Sequence, residues 1–215
     1  EPLAQTHHVV ALDLYGFGWS ERSPDFTYGW TLWSDQLADT LDVLSVERAT
    51  VVGHSMGGAV ATVFAARYPD RVAGLILADS FYPLEPAERP TVFTLLQVPL
   101  LGEVMLGASE TSAAPGFSTD YLARAALWSR IRGTHQAALQ YVRDPGKLAE
   151  LASAYPDVHA PTLILHGTAD VFVPIAAMQR WAPQIADARI VTIVDGSHFI
   201  LRDRSAEFLE AVTDF

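Results

Sequence analysis

The chain has 215 residues, half of them hydrophobic, which suits one domain with a sizeable core and an inserted subdomain. Its 14 Lys plus Arg stand against 25 Asp plus Glu, and the formal net charge of −11 argues against partners such as nucleic acid or an anionic membrane. No apolar run reaches the roughly 18 residues that span a membrane, and the lack of cysteine excludes disulfides, thiolate metal sites and a cysteine nucleophile.

Strand-like and helix-like segments alternate along the chain. The helices show apolar residues at helical spacing, and the strands are continuous apolar runs, which are typical of a parallel sheet covered by helices on both faces. We therefore expect an α/β fold. In chain order, the predicted elements are a strand at 7–14, a helix at 31–44, a strand at 49–53, a helix at 59–68, strands at 71–79 and 161–167, a helix at 175–185, a strand at 188–194 and a helix at 203–215.

Residues 81–159 interrupt this alternation. The segment is rich in Pro, Ala and aromatic residues, contains helix-like pieces at 119–132 and 134–142, and has no clear strand. We expect it to form a helical cap inserted between two strands, so that the core consists of residues 1–80 and 160–215.

The stretch VVGHSMGGAV places Ser55 in a Gly-x-Ser-x-Gly pattern between a predicted strand and a predicted helix. This context is the one in which a serine nucleophile sits on a strained turn. The strain requires small neighbours, so we expect Gly53 and Gly57 to remove clashes and Gly58 to allow the helix to pack closely against the sheet. The start of the following helix favours negative charge near Ser55.

A serine hydroxyl needs a base, and the base needs an orienting acid. His198 comes directly after the predicted strand 188–194, and Asp170 comes three residues after the strand that ends at Gly167. Both lie at the carboxyl ends of strands, where open α/β sheets build their sites. Asp79 also ends a strand and is an alternative acid.

The motifs together resemble the α/β-hydrolase fold family, serine esterase/lipase type, with a helical cap. They stand in the family's order and cover most of the chain except the predicted cap. The segments that carry the resemblance are DLYGFGWS (13–20), GHSMGG (53–58), PTLILHGTADVFVP (161–174) and DGSHF (195–199).

The resemblance implies a role for each of these site residues. Ser55 would be the nucleophile, His198 the base and Asp170 the acid, and the backbone N–H of Met56 would be one donor of the oxyanion hole. Some members of the fold place the acid after the strand that ends at Asp79, so Asp79 stays open as the alternative.

The implied activity is hydrolysis of carboxylic esters of small to medium apolar substrates through an acyl-serine, with no cofactor. Hydrolases of C–C bonds and perhydrolases use the same triad, and a non-catalytic ligand-binding relative would keep the pocket, so these readings remain alternatives. We expect Phe81, Trp128, Val171 and Phe199 to contact the substrate. Packing between cap and core is the alternative role for Trp128.

Other polar residues suggest structural roles. The histidines lack zinc-ligand spacing, so we expect no metal site. His54 and His166 are predicted to serve packing or hydrogen bonding, and Asp13 to accept structural hydrogen bonds.

The resemblance also predicts a His-Gly loop upstream of the strand at 7–14, which would supply a second oxyanion N–H. Nothing of this kind precedes the predicted strand. We expect a further segment of the same protein to provide it, unless the chain is a minimal relative. No targeting segment is visible, so the sequence predicts a soluble protein without assigning its compartment.

Overall fold

The computed structural model describes residues 2–98, 123, 127 and 131–215. Within them, four strands form one sheet in the order β1-β2-β3-β4, and every neighbouring pair is parallel. The four strands that the apolar runs predicted from residue 49 onwards are thus confirmed. Their bounds are β1 Ala49–His54, β2 Val72–Ala78, β3 Thr162–Gly167 and β4 Ala188–Ile193.

Helices connect and cover the strands. The predicted helix at 175–185 ends early, because Pro183 falls in a short 3-10 turn that follows it. The helices of the described residues are α1 Trp30–Val43, α2 Met56–Arg67, α3 Thr91–Leu96, α4 Thr134–Arg143, α5 Pro145–Ala154, α6 Ile175–Trp181, α7 Ile200–Asp203 and α8 Ser205–Thr213.

The two central strands are buried on both faces. Successive side chains of a strand point to opposite faces, so Leu77 and Ile164 join the larger core with α1, α2, α5 and α6. Ile76 and Leu163 join a second core, in which Phe208 of α8 packs against the other face. This arrangement confirms the predicted α/β fold with a parallel sheet between helices.

The predicted strand at residues 7–14 is wrong. This segment has no strand assignment, and Val9 and Val10 are each about half exposed. A strand needs a neighbour to pair its backbone N–H and C=O groups, and no described strand lies beside this segment. It leads into a loop that Asp13 stabilises as predicted, since its carboxylate accepts the backbone N–H of Trp19 at 2.9 Å.

Between β2 and β3 the described residues form the helices α3, α4 and α5 and no strand, and α5 packs into the main core through Leu151 and Ala154. The Trp30 side chain ties this helix to α1 by donating its indole N–H to the carbonyl of Lys147 at 2.6 Å. The predicted helix at 119–132 lies largely outside the described residues. The limits 81 and 159 of a cap therefore stay a prediction.

Among the described residues, no helix is long and apolar enough to cross a membrane.

Candidate active site

Ser55 occupies a strained turn between β1 and α2. Its backbone φ is 52° and its ψ −121°, a region that costs a non-glycine residue about 1–3 kcal/mol and persists only where the surroundings enforce it. The Ser55 N–H donates to the carbonyl of Ala78 at 3.2 Å, and the Ser55 carbonyl accepts the N–H groups of Gly58 and Phe81, each at 2.9 Å. These bonds fix the turn to both β2 and α2.

Two of the three glycines around Ser55 are required by close contacts. A Cβ at Gly53 would overlap the carbonyl oxygen of Gly57, and a Cβ at Gly58 would overlap the side chain of Ser80. The predictions for Gly53 and Gly58 are therefore confirmed. The prediction for Gly57 is wrong, because a Cβ there meets no described atom within 4 Å.

The three residues that the sequence suggested as a triad form one chain of hydrogen bonds. The Nε2 atom of His198 lies 2.9 Å from Ser55 Oγ, and its Nδ1 atom lies 2.8 Å from Asp170 Oδ2. They come from the carboxyl ends of β1, β3 and β4, so the topology of the parallel sheet brings them together.

Asp170 is held as an ionised acceptor. Its Oδ1 accepts the backbone N–H groups of Phe172 at 2.7 Å and Val173 at 2.9 Å. Burial by itself raises the pKa of the Asp170 carboxyl, but the hydrogen bond and charge of His198 and the two N–H groups outweigh it, so the pKa lies below its usual value. The carboxylate is thus suited to stabilise a positive charge on the imidazole.

Asp79, the alternative acid, does not contact His198 through a hydrogen bond. Its side chain has no exposed surface, and its Oδ1 accepts the backbone N–H of Gly167 at 2.8 Å. Burial raises the pKa of this carboxyl to about 7. The geometry therefore favours Asp170 as the residue that orients His198.

His54 supports His198 from the side of β1. Its Nε2 donates to the backbone carbonyl of His198 at 2.6 Å, and the two rings lie 4.9 Å apart between their centroids. Burial lowers the pKa of His54, which favours the neutral ring. Hydrogen bonding was predicted for His54 and is confirmed. Its partner was missed, because nothing in the local sequence points to a residue 144 positions away.

The apolar residues around His198 differ in part from those expected. The ring of Phe199 packs against His198, with the centroids 5.4 Å apart. Phe172, which sequence reasoning missed, lies 5.1 Å from the same ring. The side chain of Val171 is 78 % exposed. Trp128 lies outside the described residues, and substrate contact stays a prediction for all of the residues named for it.

A small cavity has in its wall Phe81, whose backbone N–H donates to the Ser55 carbonyl. Its wall is largely apolar, with one cationic and one amide side chain. The lining residues are Phe81, Leu84, Arg89, Gln97, Tyr141, Val142 and Leu148.

One group of side chains has the donor types of a metal site. Asp79, His166 and Asp170 bring one oxygen or nitrogen atom each within 4.8 Å of one another. However, Asp170 already uses Oδ2 for His198 and Oδ1 for two backbone N–H groups. An ion there would compete with the hydrogen bond to His198, and we assign no metal to the group.

The start of α2 adds a donor next to Ser55. Met56 is the first residue of the helix, so its N–H has no acceptor within the helix. The positive end of the helix dipole also favours negative charge at this point. Ser55, His198, Asp170 and this N–H are the types of group that nucleophilic attack, proton transfer and stabilisation of an oxyanion require.

The chain is similar to proteins of a known family. The model of the Alpha/beta hydrolase family matches residues 1–211. The 2-hydroxymuconate semialdehyde hydrolase of Pseudomonas sp. strain CF600 is 30 % identical over 219 residues, which cover 99 % of this chain and 77 % of the relative. The 2-hydroxy-6-oxo-2,4-heptadienoate hydrolase of Pseudomonas putida strain F1 is 28 % identical over 233 residues, 99 % of this chain and 79 % of the relative.

Among solved structures, a similar one is Est816, described as an N-acyl homoserine lactone degrading enzyme. It superposes with a TM-score of 0.79 and 26 % sequence identity, over 100 % of this chain and 85 % of that chain.

Proposed function

Because the chain belongs to the alpha/beta hydrolase family, we propose that it cleaves carboxylic ester bonds of small to medium apolar substrates through an acyl-serine at Ser55. The observation that carries this proposal is the continuous hydrogen-bond chain from Ser55 through His198 to Asp170, built on a strained turn at the start of a helix. The lactone-degrading neighbour at 26 % identity supports it, since a lactone is a cyclic ester.

In the first half of the reaction, Ser55 Oγ attacks the ester carbonyl while His198 Nε2 takes the hydroxyl proton. Asp170 holds the imidazole through Nδ1 and stabilises its positive charge. The N–H of Met56 donates to the oxyanion. The C–O bond then breaks, and the alcohol leaves with the proton from His198.

In the second half, water replaces the alcohol. His198 accepts a proton from the water, whose oxygen attacks the acyl carbonyl, and the C–O bond to Ser55 breaks. The carboxylic acid leaves, and Ser55 regains its proton. The cycle uses only these side chains, water and the ester, so it requires no cofactor.

The apolar wall around the site supports an apolar substrate. Phe172 and Phe199 pack beside His198, and Phe81 joins the turn of Ser55 to the neighbouring cavity. We infer that the acyl or alcohol group contacts Phe81 and Phe199, with Val171 at the exposed rim and Trp128 contributing from the predicted cap.

Hydrolysis of a C–C bond is the second candidate. It is favoured by the 30 % identity to the hydrolase of 2-hydroxymuconate semialdehyde and by the 28 % identity to the hydrolase of 2-hydroxy-6-oxo-2,4-heptadienoate. The same Ser55 and His198 would act on a ketone or aldehyde carbonyl, with carbon rather than oxygen as the leaving group.

A paired assay separates the two candidates. Initial rates are measured on p-nitrophenyl esters from acetate to decanoate and, separately, on 2-hydroxy-6-oxo-2,4-heptadienoate, with the Ser55→Ala variant as control. We expect a higher kcat/KM on at least one ester than on the dienoate, and loss of both activities in Ser55→Ala. A higher kcat/KM on the dienoate would select the second candidate, and no turnover of any of these compounds by folded protein would contradict both.

A further inference from the structure

Asp79 and His166 form a buried pair of titratable residues that the proposed reaction does not use. Asp79 directly follows β2, and His166 lies near the end of the neighbouring strand β3. Neither side chain has exposed surface. Asp79 adopts a positive φ of 41°, which is uncommon for a residue other than glycine. A buried carboxyl group and a strained backbone at one position require a compensating interaction.

The two side chains hold opposite ends of the segment 167–173, which carries Asp170. Asp79 Oδ1 accepts the N–H of Gly167 at 2.8 Å, at the start of the segment. His166 Nε2 donates to the carbonyl of Val173 at 3.1 Å, at its end. Between these points, Asp170 is bonded to its own segment through the N–H groups of Phe172 and Val173.

One atom of each side chain is left without a hydrogen-bond partner, namely Asp79 Oδ2 and His166 Nδ1. The carboxyl group lies 3.8 Å from the ring between Oδ1 and Nδ1, which is too long for a hydrogen bond. Because Nε2 carries the proton that is donated to Val173, Nδ1 is an acceptor in the neutral ring. The two side chains therefore do not bond to each other, and each acts on the segment 167–173 through its own hydrogen bond.

The surroundings favour the neutral form of both side chains. Burial raises the pKa of Asp79 to about 7 and lowers the pKa of His166, so both groups tend towards their neutral forms. The other titratable groups that act on Asp79 are Asp170, His198 and Tyr82. Of these, the negative charge of Asp170 also favours the neutral carboxyl group.

We propose that Asp79 and His166 are positioning residues, which hold Asp170 against His198 by binding the two ends of the segment 167–173. The pair ties both ends of the segment 167–173 to the sheet, so Asp170 keeps its place when His198 gains and loses its proton. This inference rests on the proposed function, because it assigns Asp170 the task of orienting His198.

The test compares Asp79→Asn with Asp79→Ala in the full chain. Asparagine is neutral at every pH and keeps an acceptor for the N–H of Gly167, so kcat on the best p-nitrophenyl ester should stay within about threefold of wild type. Alanine removes this bond, so kcat should fall about tenfold or more while KM changes less than about threefold. If Asp79→Asn loses as much kcat as Asp79→Ala, or if Asp79→Ala keeps the wild-type kcat, the proposal is wrong.

Two NMR measurements keep the test independent of ester turnover and of the folding of the alanine variant. In the wild type at pH 6, the ¹⁵N shifts of His166 should report a neutral ring with the proton on Nε2. The downfield proton of His198 Nδ1 should be retained in Asp79→Asn and displaced in folded Asp79→Ala. A charged His166, a neutral His166 with its proton on Nδ1, or an unmoved His198 signal in Asp79→Ala would contradict the proposal, whereas an inactive wild type with the expected NMR signals would contradict the proposed function alone.

Discussion

Asp170 occupies a position where burial and hydrogen bonding act on its carboxyl group in opposite directions. Burial favours the neutral acid, but His198 and two backbone N–H groups favour the carboxylate and prevail. The consequence is that Nδ1 of His198 must carry the proton and Nε2 must face Ser55 as an acceptor. A neutral amide at position 170 would remove this preference.

The variant Asp170→Asn tests this consequence. The amide can present an N–H to His198 Nδ1 and so favour the wrong tautomer, and kcat on the best ester is expected to fall by about 10³–10⁴-fold. The matched control is Asp195→Asn, an exposed aspartate with positive φ in the preceding turn, which should keep kcat within about twofold. Equal losses in the two variants, or full activity of Asp170→Asn, would contradict the role of Asp170.

The raised pKa of Asp79 predicts that the free energy of unfolding depends on pH. Its pKa is raised from 3.8 to about 7 in the folded protein, so the folded state holds a proton that the unfolded state releases between these values. The stabilisation that this proton gives to the folded state is therefore fully present below about pH 4. It is lost as the pH rises towards 7, by about 1.4 kcal/mol for each pH unit. Asparagine has no proton to lose.

Chemical unfolding of wild type and Asp79→Asn at pH 4, 5.5 and 7 measures this effect, since the titration of all other groups largely cancels in the difference. The free energy of unfolding of the variant relative to wild type should increase with pH over this range. A difference that stays constant or decreases would show that Asp79 of the folded protein is ionised over this whole pH range.

The sequence predicted some features of the candidate site and missed others. The motifs and their order in the chain predicted Ser55, His198 and Asp170 as the triad, and the structure brings them into hydrogen-bond contact. Asp79 stayed open as an alternative acid, because both aspartates follow strands and only their three-dimensional placement relative to His198 separates them. The contact of His54 was equally beyond reach, since it depends on how two distant loops meet.

At the scale of secondary structure, the turn between β1 and α2 depends on the close approach of its two arms. The Cα of Gly53 faces the backbone of Gly57 and Gly58, and a rigid backbone cannot move away as a flexible side chain can. Gly57 itself faces no described atom within 4 Å. The two glycines of the Gly-x-Ser-x-Gly pattern therefore differ in what they contribute to stability.

The variants Gly53→Ala and Gly57→Ala measure the contributions of the two glycines to stability separately. We expect Gly53→Ala to lower the free energy of unfolding by about 2 kcal/mol or more, because the new methyl group overlaps the backbone. Gly57→Ala lies in the first turn of α2 and should change it by no more than about 1 kcal/mol, with helix propensity favouring alanine. Urea unfolding curves measure both, and equal destabilisation would contradict the difference in close contacts.

Strands were predicted well where an apolar run has strand neighbours and poorly where it has none. The runs at β2 and β3 are buried on both faces, which the continuous apolar pattern indicates directly. Residues 7–14 carry a similar run, but they pair with no described strand. Whether a segment pairs as a strand depends on its neighbours in the sheet, so it cannot be predicted from the composition of that segment alone.

At the scale of the whole molecule, the formal net charge of −11 acts on any charged substrate that approaches the site. An anionic ester is repelled at low ionic strength, and salt screens this repulsion over a Debye length of about 10 Å at 0.1 M. A neutral ester is not affected in this way.

Ionic strength therefore should distinguish two esters with the same leaving group. Between 10 and about 500 mM NaCl, kcat/KM for the p-nitrophenyl monoester of succinate should rise about two- to fivefold, whereas that for p-nitrophenyl butyrate should change less than about 1.5-fold. A fall of kcat/KM for the anionic ester with salt would show that local positive charge at the site outweighs the net charge of the chain.

The central claim is that Ser55 is a nucleophile activated by His198 and Asp170, and covalent labelling with a fluorophosphonate tests it most directly. Intact mass and peptide mapping should find one adduct per chain, on Ser55, with none in Ser55→Ala and much slower labelling in Asp170→Asn. Labelling of another serine at the same rate, or no adduct on the folded protein, would contradict the account.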